Sequence, residues 1–180
     1  MIMTYNDCIT KFGTDYSLKK SLASGKLYRI EKGIYSETPD VSPLAVITAK
    51  YPNAIITMDS AFYYHDLTDV IPQKYCLATD KHSAPIRDKR VWQFYLPSDI
   101  FNVGVTTMTV RDATFKIYDK ERMLIELLRY KNKLSFDYYK EILQNYRDQM
   151  YDLDIERIED YADAFPKHKM IDRALEMEVF

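Results

Sequence analysis

The chain has 180 residues, 47% hydrophobic and 29% charged, with 25 Lys and Arg against 27 Asp and Glu. That is ordinary globular composition, with length for one domain or a small head on a larger body. Cys8 and Cys76 lie far apart and offer neither a disulfide framework nor zinc spacing, so a reducing cytoplasm is the expected setting. No apolar run approaches membrane length, and Met1 leads into a polar, periodic segment rather than a signal peptide, so neither a membrane association nor a secretory route is expected.

The first predicted element is a helix from about Thr4 to Phe12, with Tyr5, Cys8, Ile9 and Phe12 inward. A second follows a turn at Gly13: Thr14 or Asp15 supplies an N-terminal cap, Leu18 and Leu22 stand on one face, and Gly25 tolerates the left-handed conformation that ends helices. Its outer face carries Tyr16, Ser17, Lys19, Lys20 and Ala23. Leu27 to Ile30 then reads as a strand, Glu31-Lys32-Gly33 as a hairpin turn and Ile34-Tyr35 as the returning strand. That order is the back half of a winged helix-turn-helix, without its usual first helix.

Residues 1–35 hold six Lys or Arg against three Asp or Glu, whereas residues 36–180 hold nineteen against twenty-four. A small basic end is thus segregated from an acidic remainder, and DNA is the first partner to consider. The candidate DNA contacts are Tyr16, Ser17, Lys19, Lys20 and Ala23 toward the major groove, with Lys26, Arg29 and Lys32 at the hairpin for phosphates or the minor groove. A single head this small points to two half-sites, met either by a homodimer on DNA or by a second head-like surface in the body.

Thr38 to Pro43 reads as a linker. Beyond it, a helix is expected from Ser42 to about Lys50, a buried strand at Ala54–Met58, a helix from Asp59 or Ser60 to about Asp66 and a strand at Gln73–Thr79. A helix between two strands favours a parallel crossover, while a connection this short also admits an antiparallel one. Further strands are predicted at Val91–Tyr95, Val103–Val110 and Ala113–Tyr118, the last two a hairpin through Arg111-Asp112. From Asp119 the period becomes helical, with stripes at Met123, Leu124, Leu127 and Leu128; at Phe136, Tyr139, Ile142, Leu143 and Tyr146; at Ile155, Ile158, Ala162 and Phe165; and at Ile171, Ala174 and Leu175. The expected fold class is α+β: a truncated winged helix-turn-helix head over residues 1–38, then a body over 39–180 with a small mixed sheet to 118 and a helical tail from 119.

Catalytic patterns are not apparent, and no catalytic residue, metal or cofactor is expected. No lysine has Asp or Glu two positions before it, as a restriction-type nuclease strand requires. His65, His82 and His168 are scattered singly, and only four glycines are present, three of them in the head. His65 beside Asp66 reads as a helix cap or surface pair. Arg122 and Glu126, four apart, read as an ordinary helical ion pair worth a few tenths of a kcal/mol that fixes helix to sheet. Asp148 to Asp163 holds seven acids against Arg157 alone, the exposed face of a helical hairpin or a surface for a basic partner.

Several pieces in fixed order carry a resemblance. They are Gly25 through Tyr35; Tyr51-Pro52-Asn53-Ala54-Ile55-Ile56-Thr57 running into Ser60-Ala61 and His65-Asp66-Leu67 before Ile71-Pro72; Leu77-Ala78-Thr79; and Glu121-Arg122-Met123-Leu124 closing on Leu128-Arg129. Over most of residues 13–130 the chain resembles the AbiEi-like antitoxin family of abortive-infection, type IV toxin-antitoxin systems. Asp66 stands where that family usually has a glycine, and Glu126 where an aspartate is common. The resemblance implies a winged-helix head that binds operator DNA and represses its own operon. It also implies a C-terminal domain that antagonises a neighbouring nucleotidyltransferase-like toxin, with no stable complex required. The alternative is a protein-interaction module that uses the acidic tail and no longer binds DNA.

Overall fold

A computed structural model describes residues 1–179 and shows a mixed α+β chain in two compact units. The first comprises Met1–Ala54 with Thr107–Phe115; the second comprises Ile55–Thr106 and the chain from Lys116 onward.

In the first unit, β1 (Ile2–Thr4), α1 (Tyr5–Phe12), α2 (Asp15–Ala23), β2 (Tyr28–Glu31), β3 (Ile34–Ser36) and α3 (Pro43–Lys50) follow one another. Thr4 closes a capping box at the start of α1: its hydroxyl accepts from the Asp7 amide while the Asp7 carboxylate accepts from the Thr4 amide at 2.8 Å. The three strands form an antiparallel sheet in the order β1-β3-β2, with Met3 opposite Tyr35 and Arg29 opposite Tyr35 on the other side. Met3, Cys8, Leu18, Leu27 and Tyr35 form the core of the two-helix face, and Ile9, Phe12 and Leu22 pack against it.

Strand β1 was not expected, because three residues carry no local signature and are defined only by pairing with Ile34–Ser36. Tyr5, expected inward, is exposed, since the capping geometry turns the first helical residue outward. The unit also runs past the boundary expected at residue 38. Ile34 and Ser36, alternating with Tyr35, are buried as well, and α3 packs against β1 and β3 through its apolar residues Leu44 to Ile47. Asp112, in the turn between the strands Val105–Val110 and Ala113–Tyr118, accepts a hydrogen bond from the Ser42 amide at 2.9 Å at the head of α3.

The second unit contains β4 (Ile55–Ile56), α4 (Met58–Tyr64), β5 (Tyr75–Asp80), β6 (Val91–Leu96) and α5 (Ser98–Phe101). It continues through β7 (Val105–Val110), β8 (Ala113–Tyr118), α6 (Lys120–Tyr130), α7 (Phe136–Asp148), α8 (Ile155–Ala164) and α9 (His168–Ala174); Thr107–Phe115, around the turn between β7 and β8, belong to the first unit. The sheet order is β6-β5-β4-β8-β7, with β5 parallel to β6 and β4 parallel to β8. The expected parallel crossover between β4 and β5 is corrected: they are antiparallel, Ile55 opposite Ala78. The chain enters α4 through Met58 at φ 45° and leaves it through Asp66 at φ 58°, which lets a short connection reverse direction. Asp66 therefore occupies a left-handed position that favours glycine.

The helical stripes are buried where expected except at two helix starts, Phe136 and Ile155, which are exposed, and at Ala174, which is half-buried. His65 is the C-cap residue of α4, as expected, but it is buried rather than part of a surface pair, and its Nε2–H donates to the Tyr118 carbonyl at 2.7 Å. Burial lowers its pKa, only partly opposed by that bond.

The larger correction concerns Arg122 and Glu126, which are wholly buried rather than an ordinary surface pair. Arg122 Nη2 meets Glu126 Oε1 at 2.7 Å, and Nη1 donates to the carbonyls of Ile100 at 2.7 Å and Val103 at 2.9 Å. Its guanidinium carbon lies 4.4 Å from the ring centres of both Tyr118 and Phe165. Arg129 Nη1 takes the second carboxylate oxygen of Glu126 at 2.8 Å. Helix α6 is buried on every side from Glu121 to Leu128, so its polar residues meet protein partners instead of water.

Candidate nucleic-acid interface

The sequence places α2 by local chemistry, and the structure follows it. Thr14 Oγ1 accepts from the Ser17 amide at 3.1 Å, and its own hydroxyl donates to Ser17 Oγ at 3.0 Å. With Leu18 buried and Leu22 half-buried against the core, the helical period turns Tyr16, Lys19, Lys20 and Ala23 onto the opposite arc, all four exposed. Ser17 lies at the border of that arc, half-buried, with its carbonyl accepting from Ser21 Oγ at 3.0 Å.

Behind α2, Gly25 at φ 69° redirects the chain, and exposed Lys26 follows. Arg29 sits on the edge strand β2, opposite Tyr35, so it shares the sheet face on which the two helices pack and projects at its open margin. A bulge between Arg29 and Glu31 bends this strand just before the turn. Lys32 occupies the turn, where Gly33 at φ 81° adopts the left-handed geometry a tight connection requires.

The three acids of this basic end are already engaged. Asp7 closes the α1 cap, Asp15 Oδ2 holds Lys19 Nζ at 2.7 Å, and Glu31 lies 3.5 Å from Lys50 Nζ. Lys11 pairs with Glu37. Among the described residues Lys20, Lys26, Arg29 and Lys32 have no carboxylate within ion-pair distance. The hydrogen bond with Asp15 raises the Lys19 pKa, so this residue is charged but already occupied. The Asp15–Lys19 pair escaped the sequence reading, although the i, i+4 spacing of acid before base on a helix was the signal that identifies it.

All eight expected contact residues thus belong to one helix, the loop after it and one β-ribbon, and seven are exposed. The arrangement offers a rod-like face of small, aromatic and cationic side chains with a cationic ribbon beside it, a combination suited to a groove and its flanking phosphates.

Elsewhere, the free cysteines Cys8 and Cys76 are buried, and burial raises both thiols, that of Cys76 to about 11. Among the described residues no three His, Cys, Asp or Glu side chains gather as metal ligands, and no helix is long and apolar enough to cross a membrane. Compared with known proteins, the chain matches no family model and has no significant match among curated proteins.

Proposed function

We propose that the chain is a DNA-binding autorepressor and the antitoxin of a type IV toxin-antitoxin system, with residues 1–54 acting as a winged helix-turn-helix. One observation carries this reading. A strand, two helices and a β-ribbon follow in that order, the N-terminal strand lies beside the returning ribbon strand, and four unpaired cations lie on the second helix, its following loop and the ribbon. In this reading α2 enters the major groove, and the Arg29–Lys32 ribbon is the wing that holds phosphates. Helix α3, packed against β1 and β3, gives the sheet the cover that the absent first helix does not supply.

The partners are operator DNA upstream of its own operon and, functionally, a nucleotidyltransferase-like toxin. The acids between Asp148 and Asp163 are all exposed, around a fully exposed Tyr151. They would repel DNA and suit a basic protein surface, which is the observation behind the alternative of an interaction module.

Fluorescence anisotropy with a duplex from just upstream of the gene, against an unrelated duplex, tests the proposal. The upstream duplex is expected to bind at least about 10³-fold more tightly. Replacing Lys20, Arg29 and Lys32 together with alanine should lower affinity and make the log–log salt slope shallower by about 2 to 3. Equal affinity for the two duplexes, or an unchanged slope in the triple variant, would overturn the assignment and leave the interaction module.

A further inference from the structure

The second unit contains a cavity of about 360 Å³ that the DNA reading does not use, lined by Asp59, Val70, Ile71, Pro72, Gln73, Lys74, Trp92 and Tyr138. That is the lower end of the range for small-molecule clefts, ~300–1,000 Å³. Its walls combine chemistry that the chain does not satisfy internally. Asp59, the second residue of α4, is half-buried, and its Oδ1 accepts a hydrogen bond from the Tyr138 hydroxyl at 3.3 Å. Burial raises its pKa, and among the described residues no cation pairs with it. Lys74 Nζ lies over the Trp92 ring, 5.7 Å from its centre, likewise without a carboxylate partner. One cavity therefore holds a carboxylate and an ammonium that do not neutralise each other.

The apolar part of the wall is equally unspent. Val70, Ile71 and Trp92 are 51%, 73% and 57% exposed, three of the chain's large hydrophobic side chains gathered around one opening. A ligand that removes them from water and meets both charges must carry a cationic group, a single anionic group and an apolar body. A phosphate ester fits poorly, because among the described residues Lys74 is the only cation in the wall and Asp59 repels a second negative charge.

We propose that this cavity binds a free α-amino acid with an apolar side chain, its ammonium on Asp59, its carboxylate on Lys74 and its side chain against Trp92, Val70 and Ile71. The ammonium offers three donors to a carboxylate that now receives one long hydrogen bond. Placing that cation at Asp59 offsets the cost of holding an ionised carboxyl in a half-buried site. The Tyr138 hydroxyl fixes the orientation of the carboxylate from α7.

Trp92 is the chain's one tryptophan, so its emission reports occupancy of this cavity directly. The full-length protein is titrated with L-leucine and L-phenylalanine, and with phenethylamine and 3-phenylpropionate, which each keep one charge of phenylalanine. The expected result is a saturable emission change with an amino acid, and binding of each single-charge analogue weaker by about tenfold or more. Asp59→Asn should erase the advantage of phenylalanine over 3-phenylpropionate, and Lys74→Met its advantage over phenethylamine. The analogue series uses the unmodified protein, so it decides the matter even where a variant misfolds. No saturable response to either amino acid by emission and by titration calorimetry, or phenethylamine binding as tightly as phenylalanine, would overturn the proposal.

Discussion

Two arginines separate the chemistry of the two units. Arg29 stands exposed on an edge strand with no carboxylate beside it, whereas Arg122 is wholly buried, bonded to a glutamate and two carbonyls and stacked between two aromatic rings. The same guanidinium is available to an outside partner in one place and serves the fold in the other. What decides is the supply of partners: residues 1–35 leave cations over after their three acids are engaged, while α6 surrounds each of its charges with protein groups.

The comparison breaks most visibly at Glu126. Glu126→Gln leaves Arg122 buried without a counter-charge, and the loss should be about 3–5 kcal/mol, or roughly 10 °C in Tm for a chain of this size. Thermal and urea denaturation measure it, and a loss below about 1 kcal/mol would mean that water reaches the cluster. Gly104→Ala comes next. A Cβ there would lie 2.4 Å from Arg122 Cβ, at φ +73°, so the left-handed backbone and the overpacking together should cost about 2–5 kcal/mol. Gly33→Ala, at φ +81° with open space around it, should cost only the backbone part, about 1–2 kcal/mol. Equal losses at the two glycines would contradict tight packing around Arg122.

The same contrast explains what could be read from the chain. Helix α2 was legible because Thr14, Leu18, Leu22 and Gly25 act within one or two turns of themselves, and the ribbon because Gly33 marks its turn. Strand β1 was not, since Ile2–Thr4 become a strand only by meeting Ile34–Ser36 across twenty-nine intervening positions. The direction of β5 depended on left-handed backbone at Met58 and Asp66, neither a residue type that announces it. Arg122 and Glu126 have the same spacing whether a helix lies on the surface or inside, and only the burial of α6 on all sides separates an ordinary pair from a structural centre. For the candidate interface the exposed residues were foreseen, but Asp15, which occupies Lys19, was overlooked although it lies four positions away.

His65 sharpens the comparison through pH. Burial holds its folded pKa below the unfolded value of 6.5, helped by Lys120 and opposed by the Tyr118 carbonyl, Glu121 and Asp66. The unfolded chain therefore binds the proton more readily, so the stability associated with neutral His65 is complete above about pH 6.5 and is lost as pH falls toward and through the folded pKa. Tm measured from pH 7.5 down to 5 should fall more steeply for the unmodified protein than for His65→Gln, which keeps a donor near the Tyr118 carbonyl but cannot titrate. Parallel curves would place the acid sensitivity elsewhere.

The smallest expected effect is the most direct probe of the exposed cations. Lys19 can reach a phosphate only by leaving Asp15 Oδ2, which it meets at 2.7 Å, and Asp15 itself repels the backbone it would approach. Asp15→Asn removes both obstacles while leaving the Thr14 cap intact, because that cap uses the threonine oxygen and the Ser17 amide. Affinity for the upstream duplex should therefore rise by about two- to fivefold near 0.1 M salt, with a log–log salt slope steeper by no more than about 0.9, the share of one additional phosphate contact. Lys19→Ala in the Asp15→Asn background should cancel the gain. A gain that survives loss of Lys19 would assign the whole effect to relief of repulsion by Asp15, and would take Lys19 off the list of groups that touch DNA while leaving Lys20, Arg29 and Lys32 in place.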